Sequence, residues 1–336
     1  MKLFLLSVLI VPALLCNAQK PASLPEFGKV DKATLEMKEC SFEKNAEAMV
    51  VFDEAESYLN LNLNSPTIPI FEQTSYHTRI KIFGKKGFDH ANIKIKYRND
   101  PDISIKKLHA QTYNIDAAGN VVVTKVEKSA IYDKQINKRY SEKIFVFPDV
   151  KEGSVLEYEY VLEGASAGVW YFQKNIPVAF SRFIVDFSPE ISVAVTPYSS
   201  LPVNKSNNRN ATNNYSWYTM ENVPAFIDEP YMSAPKDYLQ RLDLDITGLS
   251  LPGMPYKSFI KTWPKIVRTL VEDEDFGRQL KKEIPRTSDL DKMLQNITDD
   301  FQKMKIIHKY VRSNMKWNNL DNIWALDGVK VHGKIK

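Results

Sequence analysis

From about Ala48 to Leu249 apolar and polar side chains alternate with a period of two. Tyr76, Thr78, Ile80 and Ile82 alternate with His77, Arg79 and Lys81. Ile93, Ile95 and Tyr97 do the same against Lys94 and Lys96, and Leu156, Tyr158, Tyr160 and Leu162 against Glu157, Glu159 and Val161. That period sends successive side chains to opposite faces of a strand and is incompatible with a helix over the same residues. Turn signals separate the runs at Gly84–Gly87, Asn99–Pro101, Ala118–Asn120, Lys151–Gly153 and Gly164–Gly168. Many short strands of this kind predict antiparallel sheets, each with one face toward a core and one toward water. The expected architecture is β-sandwich-like. Asn204–Asn214, rich in Asn, Lys and Ser, reads as a mobile loop, and Glu221–Pro235 as an extended surface segment.

The period changes after Pro252 and Pro255. Thr262 can cap a helix that carries Pro264 in its first turn, where a missing N–H costs nothing. A second helix is expected over Asp275–Ile284, a third capped by Thr287 or Ser288, and a fourth capped by Thr298 or Asp299. In the fourth, Phe301, Met304, Ile307, Val311 and Met315 recur at three- and four-residue steps and mark a face that should be buried. The helices at 263–297 are the expected cover.

The first eighteen residues read as a secretory signal peptide. Lys2 supplies the positive charge, Leu3 to Leu15 the apolar stretch, and Cys16-Asn-Ala18 a small-residue cleavage site, with Ala18 as its last residue. The apolar run is too short for a bilayer span, and Leu15 stands where lipidation of Cys16 calls for a small residue. The expected organisation is a signal peptide at 1–18, an N-terminal tether at 19–47, a β-rich domain at 48–250 and a helical segment at 251–336. Export would leave the chain periplasmic or secreted.

Composition narrows the chemistry. The 45 basic and 41 acidic residues nearly balance and are dispersed, which argues against a nucleic-acid partner. Cleavage at Ala18 would leave Cys40 alone, without a disulfide partner or a cysteine-rich zinc site. His77, His90, His109, His308 and His332 show no metal-ligand spacing, so neither a metal nor a cofactor is expected. His77 should face solvent, and His308 should be partly buried. Gly164-Ala-Ser-Ala-Gly168 matches the hydrolase elbow pattern, but a nucleophile elbow needs a helix after the serine. Val169-Trp-Tyr-Phe172 reads as a strand instead, so Ser166 is expected in a hairpin loop. Trp170–Phe172 and Trp217-Tyr218 are chiefly core aromatics, with ligand stacking as the alternative. The acidic clusters Glu272–Asp275 and Asp299-Asp300 suit helix ends.

Several stretches carry a resemblance, in order, over nearly the whole chain. They are Phe27–Val30, His77–Ile82 with Gly87–Ala91, Phe147–Tyr158, Trp170–Pro177 and Glu221–Met232. Together they resemble an exported bacterial domain of unknown function that sits ahead of transglutaminase-like domains. Residues 299–318 resemble the helix that leads into such a core, of papain-type α+β fold. The resemblance implies a nucleophilic cysteine on the next helix, with a histidine and an aspartate further on. No cysteine lies beyond Cys40, so no catalytic residue is carried over to this chain. The expectation is a non-catalytic binding or scaffolding module of the envelope, with a polysaccharide or a peptide as its partner. The alternative is the front of a truncated thiol hydrolase or acyltransferase.

Overall fold

A computed structural model describes residues 23–62, 70–137, 139–164, 168–209, 213–251, 253–273, 276–281 and 287–314. The signal peptide with Ala18, Ser166, Met315 and His332 lie outside the described residues, as do residues 275 and 282–284 of the expected helix over Asp275–Ile284. Two compact units divide between Phe259 and Ile260.

The first unit is mostly β with several sheets. In chain order it holds α1 (Lys32–Glu36), β1 (Ala48–Leu61), β2 (Ile70–Ile82), β3 (Asn92–Arg98), β4 (Ser104–Ile115), β5 (Val121–Lys125), β6 (Tyr132–Gln135) and β7 (Tyr140–Val146). There follow β8 (Val155–Glu163), β9 (Val169–Tyr171), β10 (Val178–Phe187), β11 (Ile191–Tyr198), β12 (Asn204–Arg209), β13 (Asn214–Val223), α2 (Pro235–Tyr238), β14 (Arg241–Leu249) and β15 (Lys257–Ser258). The main sheet runs β12-β13-β10-β1-β2-β8-β4-β5. A second sheet joins β11, β14, β15 and β9, and a third joins β3, β7 and β6.

One apolar core serves all three sheets. It takes Val50, Ala55, Ile80, Leu156, Phe183, Val185 and Met220 from the main sheet, Ile95 and Phe145 from the third, and Trp170, Leu242 and Leu249 from the second. Each large side chain so enclosed contributes about 1.5–3 kcal/mol.

Four expectations are corrected. β1 and β10 pair in parallel, Val50 opposite Val178 through Leu59 opposite Phe187, so the main sheet is mixed. The long chain between these two strands makes that crossover possible. Asn204–Asn214 is largely strand: Asn204 to Arg209 pair with Thr219 to Asn214 at the sheet edge, where an all-polar strand is suited to solvent on both faces. The strands flanking residues 165–167 do not pair as a hairpin: β8 belongs to the main sheet and β9 pairs with β14 in another. Finally, the polar face of the main sheet is not uniformly wet. Arg79, Lys81 and Glu157 are as buried as the core, under residues 27–36.

The second unit holds α3 (Trp263–Glu272), α4 (Ser288–Leu294) and α5 (Asp300–Asn314), with a 3-10 turn at Gly277–Lys281. Thr287 caps α4 by accepting the Leu290 N–H, and Asp299 caps α5 by accepting the Gln302 N–H at 2.7 Å. Thr262 stands at the N-cap of α3 without a side-chain cap bond. Phe301, Met304, Ile307 and Val311 do not form a buried face: they are 40–56% exposed, and His308 is exposed as well. No residue of α3 or α4 is buried, so the helices at 263–297 do not close over that row. Among the described residues no helix is long and apolar enough to cross a membrane.

Candidate functional site

The outer face of the main sheet is organised in transverse rows. In the first, Phe52 lies opposite Arg79, Arg79 opposite Glu157, and Glu157 opposite Gln111. Arg79 Nη2 and Nε donate to Glu157 Oε1 at 2.6 and 3.2 Å. His77 Nε2 meets the same oxygen at 2.9 Å, and Tyr113 donates its hydroxyl to Oε2. The Gly28 N–H also donates to Oε2 at 3.0 Å, while Arg79 Nη2 donates to the Lys29 carbonyl at 2.9 Å. The carboxylate thus ties the N-terminal segment down onto the sheet.

Burial pushes the Glu157 carboxyl up, but the bonds from His77, Tyr113 and Arg79 outweigh it, and the group sits below the ordinary glutamate range. The Tyr113 hydroxyl is held well above the usual phenol range, first by burial and then by its bond to Glu157. One row further in, Lys81 Nζ donates at 2.6 Å to the carbonyls of both Leu35 and Gly153. Burial, helped by the charge on Lys38, pushes this ammonium down to about 8. Gly153 stands at φ +89°, a turn conformation that favours glycine and brings its carbonyl within reach.

The next row is open. Arg182, Glu54, His77, Glu159 and His109 lie side by side on β10, β1, β2, β8 and β4. Basic and acidic side chains alternate along it. Arg182 Nε bonds Glu54 Oε2, and His109 Nδ1 meets Glu159 Oε1 at 2.9 Å. The ring of Phe27 lies between the two imidazoles, 6.1 Å from His77 and 5.9 Å from His109.

A bulge in β4 sets the register of the row. Lys106 pairs with Val161 and His109 with Glu159, so Lys107 and Leu108 both stand against Tyr160. Lys107 takes φ +49° to accomplish this. Regular pairing would have put Leu108, not His109, opposite Glu159.

Two adjoining hollows of 190 and 490 Å³ lie over this row and share Glu54, Glu56, His77 and Glu159. Ser75, Lys107 and His109 complete the first, and residues 23–27, Arg182 and Tyr215 wall the second.

Sequence reasoning assigned little to these residues. His77 does not face open solvent: its side chain is 16% exposed and packs edge-on against Phe52. The alternation places it on the polar face correctly, but no local signal records that residues 27–36 cover that face. Trp170, Phe172 and Tyr218 are buried core residues. Cys40 is buried at 2% exposure. A strand follows Gly168, so the helix that an elbow serine needs is not there. Among the described residues no three His, Cys, Asp or Glu side chains are grouped to hold a metal.

Residues 72–227 match the family described as a domain of unknown function with solved structure (DUF3857). No curated protein matches the chain. Its fold is similar to that of a candidate protease from Parabacteroides distasonis, with a TM-score of 0.53 and 13% identity, over 80% of this chain and 50% of that one. The chain thus spans about half the length of that protein. An M1 zinc metallopeptidase from Deinococcus radiodurans aligns at 11% identity over 60% of this chain and 42% of its own. Its TM-score of 0.26 is too low to carry an argument.

Proposed function

We propose that the chain is an exported, non-catalytic binding or scaffolding module of the cell envelope, and that its partner, a polysaccharide or a peptide, lies in the groove over Glu54, His77, Glu159 and His109. The observation that carries this is the groove itself: a concave strip of ionisable side chains with aromatic walls on the main sheet. Glu54, His77, Glu159 and His109 are each hydrogen-bonded to another ionisable side chain, an arrangement suited to holding a ligand. The one thiol among the described residues, Cys40, is too enclosed to reach a substrate. The sandwich-like packing of the sheets gives the groove a rigid floor. The test is a binding screen of the chain from Gln19 against envelope glycans and peptides. Saturable binding that groove substitutions weaken supports the reading, and no binding to any of them defeats it.

The exposed row Phe301, Met304, Ile307 and Val311 favours a second reading, in which residues 251–336 begin a transglutaminase-like core. An apolar row of that length calls for cover. The occurrence of this fold in a longer candidate protease is compatible with such a partner. The whole protein would then be a thiol hydrolase or acyltransferase. An in-frame gene continuation bearing a cysteine about one helix downstream would establish it, and a stop codon directly after Lys336 would remove it.

A further inference from the structure

We propose that the groove on the main sheet takes a neutral, polyhydroxylated ligand, a short oligosaccharide, in preference to a charged peptide. The inference rests on the binding-module reading and narrows it to one ligand class.

Along the row Arg182 is bonded to Glu54, His109 to Glu159, and His77 to Glu157. A cationic ligand would compete for carboxylates already held by a base, and an anionic one for bases already held by an acid. Within the row either must disturb a formed contact, although Lys107, Glu56 and Glu26 also line the hollows off the row.

A hydroxyl makes no such demand, because it both donates and accepts. Each pair keeps hydrogen-bonding capacity in reserve. His77 uses Nε2 and keeps Nδ1, while His109 uses Nδ1 and keeps Nε2. Glu159 bonds through Oε1 and keeps Oε2, and Glu54 bonds through Oε2 and keeps Oε1. Acceptors and imidazole nitrogens therefore alternate along a line that crosses five strands, about 19 Å at the usual strand spacing.

The flanks suit the same ligand. Phe27 stands beside both imidazoles, and Tyr215 walls the larger hollow with the stem of Arg182. Aromatic faces cover the C–H surface of a sugar ring without requiring charge. The bulge at Lys107–Leu108 is what brings an imidazole, in place of a leucine, to the end of the line.

The experiment is calorimetric titration of the chain from Gln19 with three probes: the neutral hexamer of N-acetylglucosamine, hexalysine and hexaglutamate. The hexasaccharide should bind saturably, and its affinity should change less than threefold between about 0.1 and 1 M salt, where the screening length falls to about 3 Å. His109→Ala and Glu159→Gln, both at surface-accessible positions, should each weaken it about tenfold while thermal melting stays unchanged. Salt-sensitive binding of hexalysine or hexaglutamate without the hexasaccharide overturns the ligand class and leaves the binding module standing. Hexasaccharide binding indifferent to both substitutions overturns the site alone. Failure of all three probes overturns this inference together with the reading on which it rests.

Discussion

Glu157 holds Arg79 at 2.6 Å with neither side chain more than 1% exposed, and the two also anchor the backbone of Gly28 and Lys29. A buried pair of this kind is costly to break, because the survivor keeps its charge without a partner. Glu157→Ala should lose about 3–5 kcal/mol of unfolding free energy. The combined change Arg79→Met with Glu157→Leu should cost clearly less than the two single changes added together. Urea unfolding of the four proteins measures this coupling, and strict additivity would show that the pair is not a unit.

The same carboxylate sets an acid limit. Its pKa is depressed in the folded protein, so its stabilisation is fully present above the unfolded value, near 4.5. It is lost as pH falls through the lower folded value. The stability difference between the wild type and Glu157→Gln should therefore be constant from neutral pH to about pH 5 and shrink below that. Denaturant melts across an acid series would show it, and a constant difference down to the lowest pH would contradict it.

Lys81 predicts a change at the alkaline end. Its ammonium is lowered from 10.5 to about 8, so below about pH 8 it is charged in both states and its burial costs stability in full. Above that the folded protein releases the proton before the unfolded chain does, and the cost is relieved as pH approaches 10.5. The stability of the wild type relative to Lys81→Met should rise across this window, by at most ~3 kcal/mol. Comparing the two proteins cancels the other lysines and tyrosines that titrate there.

Lys107 carries its strand bulge at a positive φ that disfavours a side chain. Lys107→Gly should raise stability by about 1 kcal/mol and leave His109 opposite Glu159. Deleting Leu108 should remove the bulge, leave Lys107 alone opposite Tyr160 and keep His109 opposite Glu159. Melting temperatures report the first effect, and a His109 imidazole resonance that still shifts on Glu159→Gln reports the second.

The helical unit should open first. Phe301, Met304, Ile307 and Val311 are exposed by 40–56%, and none of the residues in α3, α4 or α5 is buried. Segments with little buried apolar surface unfold locally at low free-energy cost. Limited proteolysis should cut within 260–314 well before β1 to β14. Phe301→Ser should change thermal stability by no more than about 0.5 kcal/mol, as for an exposed site. Early cleavage inside the main sheet would contradict the first expectation.

Much of the β domain was legible because alternation is a local property. Ile80 and Ile82 against Arg79 and Lys81, and Leu156 against Glu157, settle which residues share a face before any partner strand is known. Helix starts were legible for the same reason: Thr287 and Asp299 cap the backbone three residues away. The candidate site was not. His77 and Glu157 are 80 residues apart and Glu54 and Arg182 128, so their meeting depends on register and strand order, and no spacing in the chain records either.

The sequence by itself therefore determined most of the strands, their two faces and the caps at Thr287 and Asp299, since each follows from neighbours within a few residues. Only the tertiary structure decided what each face meets. Residues 27–36 close over Arg79, Lys81 and Glu157, turning a face patterned for water into a second buried layer, while the bulge at Lys107 decides which side chain ends the next row. The physical reason is that polarity fixes which side chains need hydrogen-bond partners, but only long-range packing chooses between water and protein to supply them.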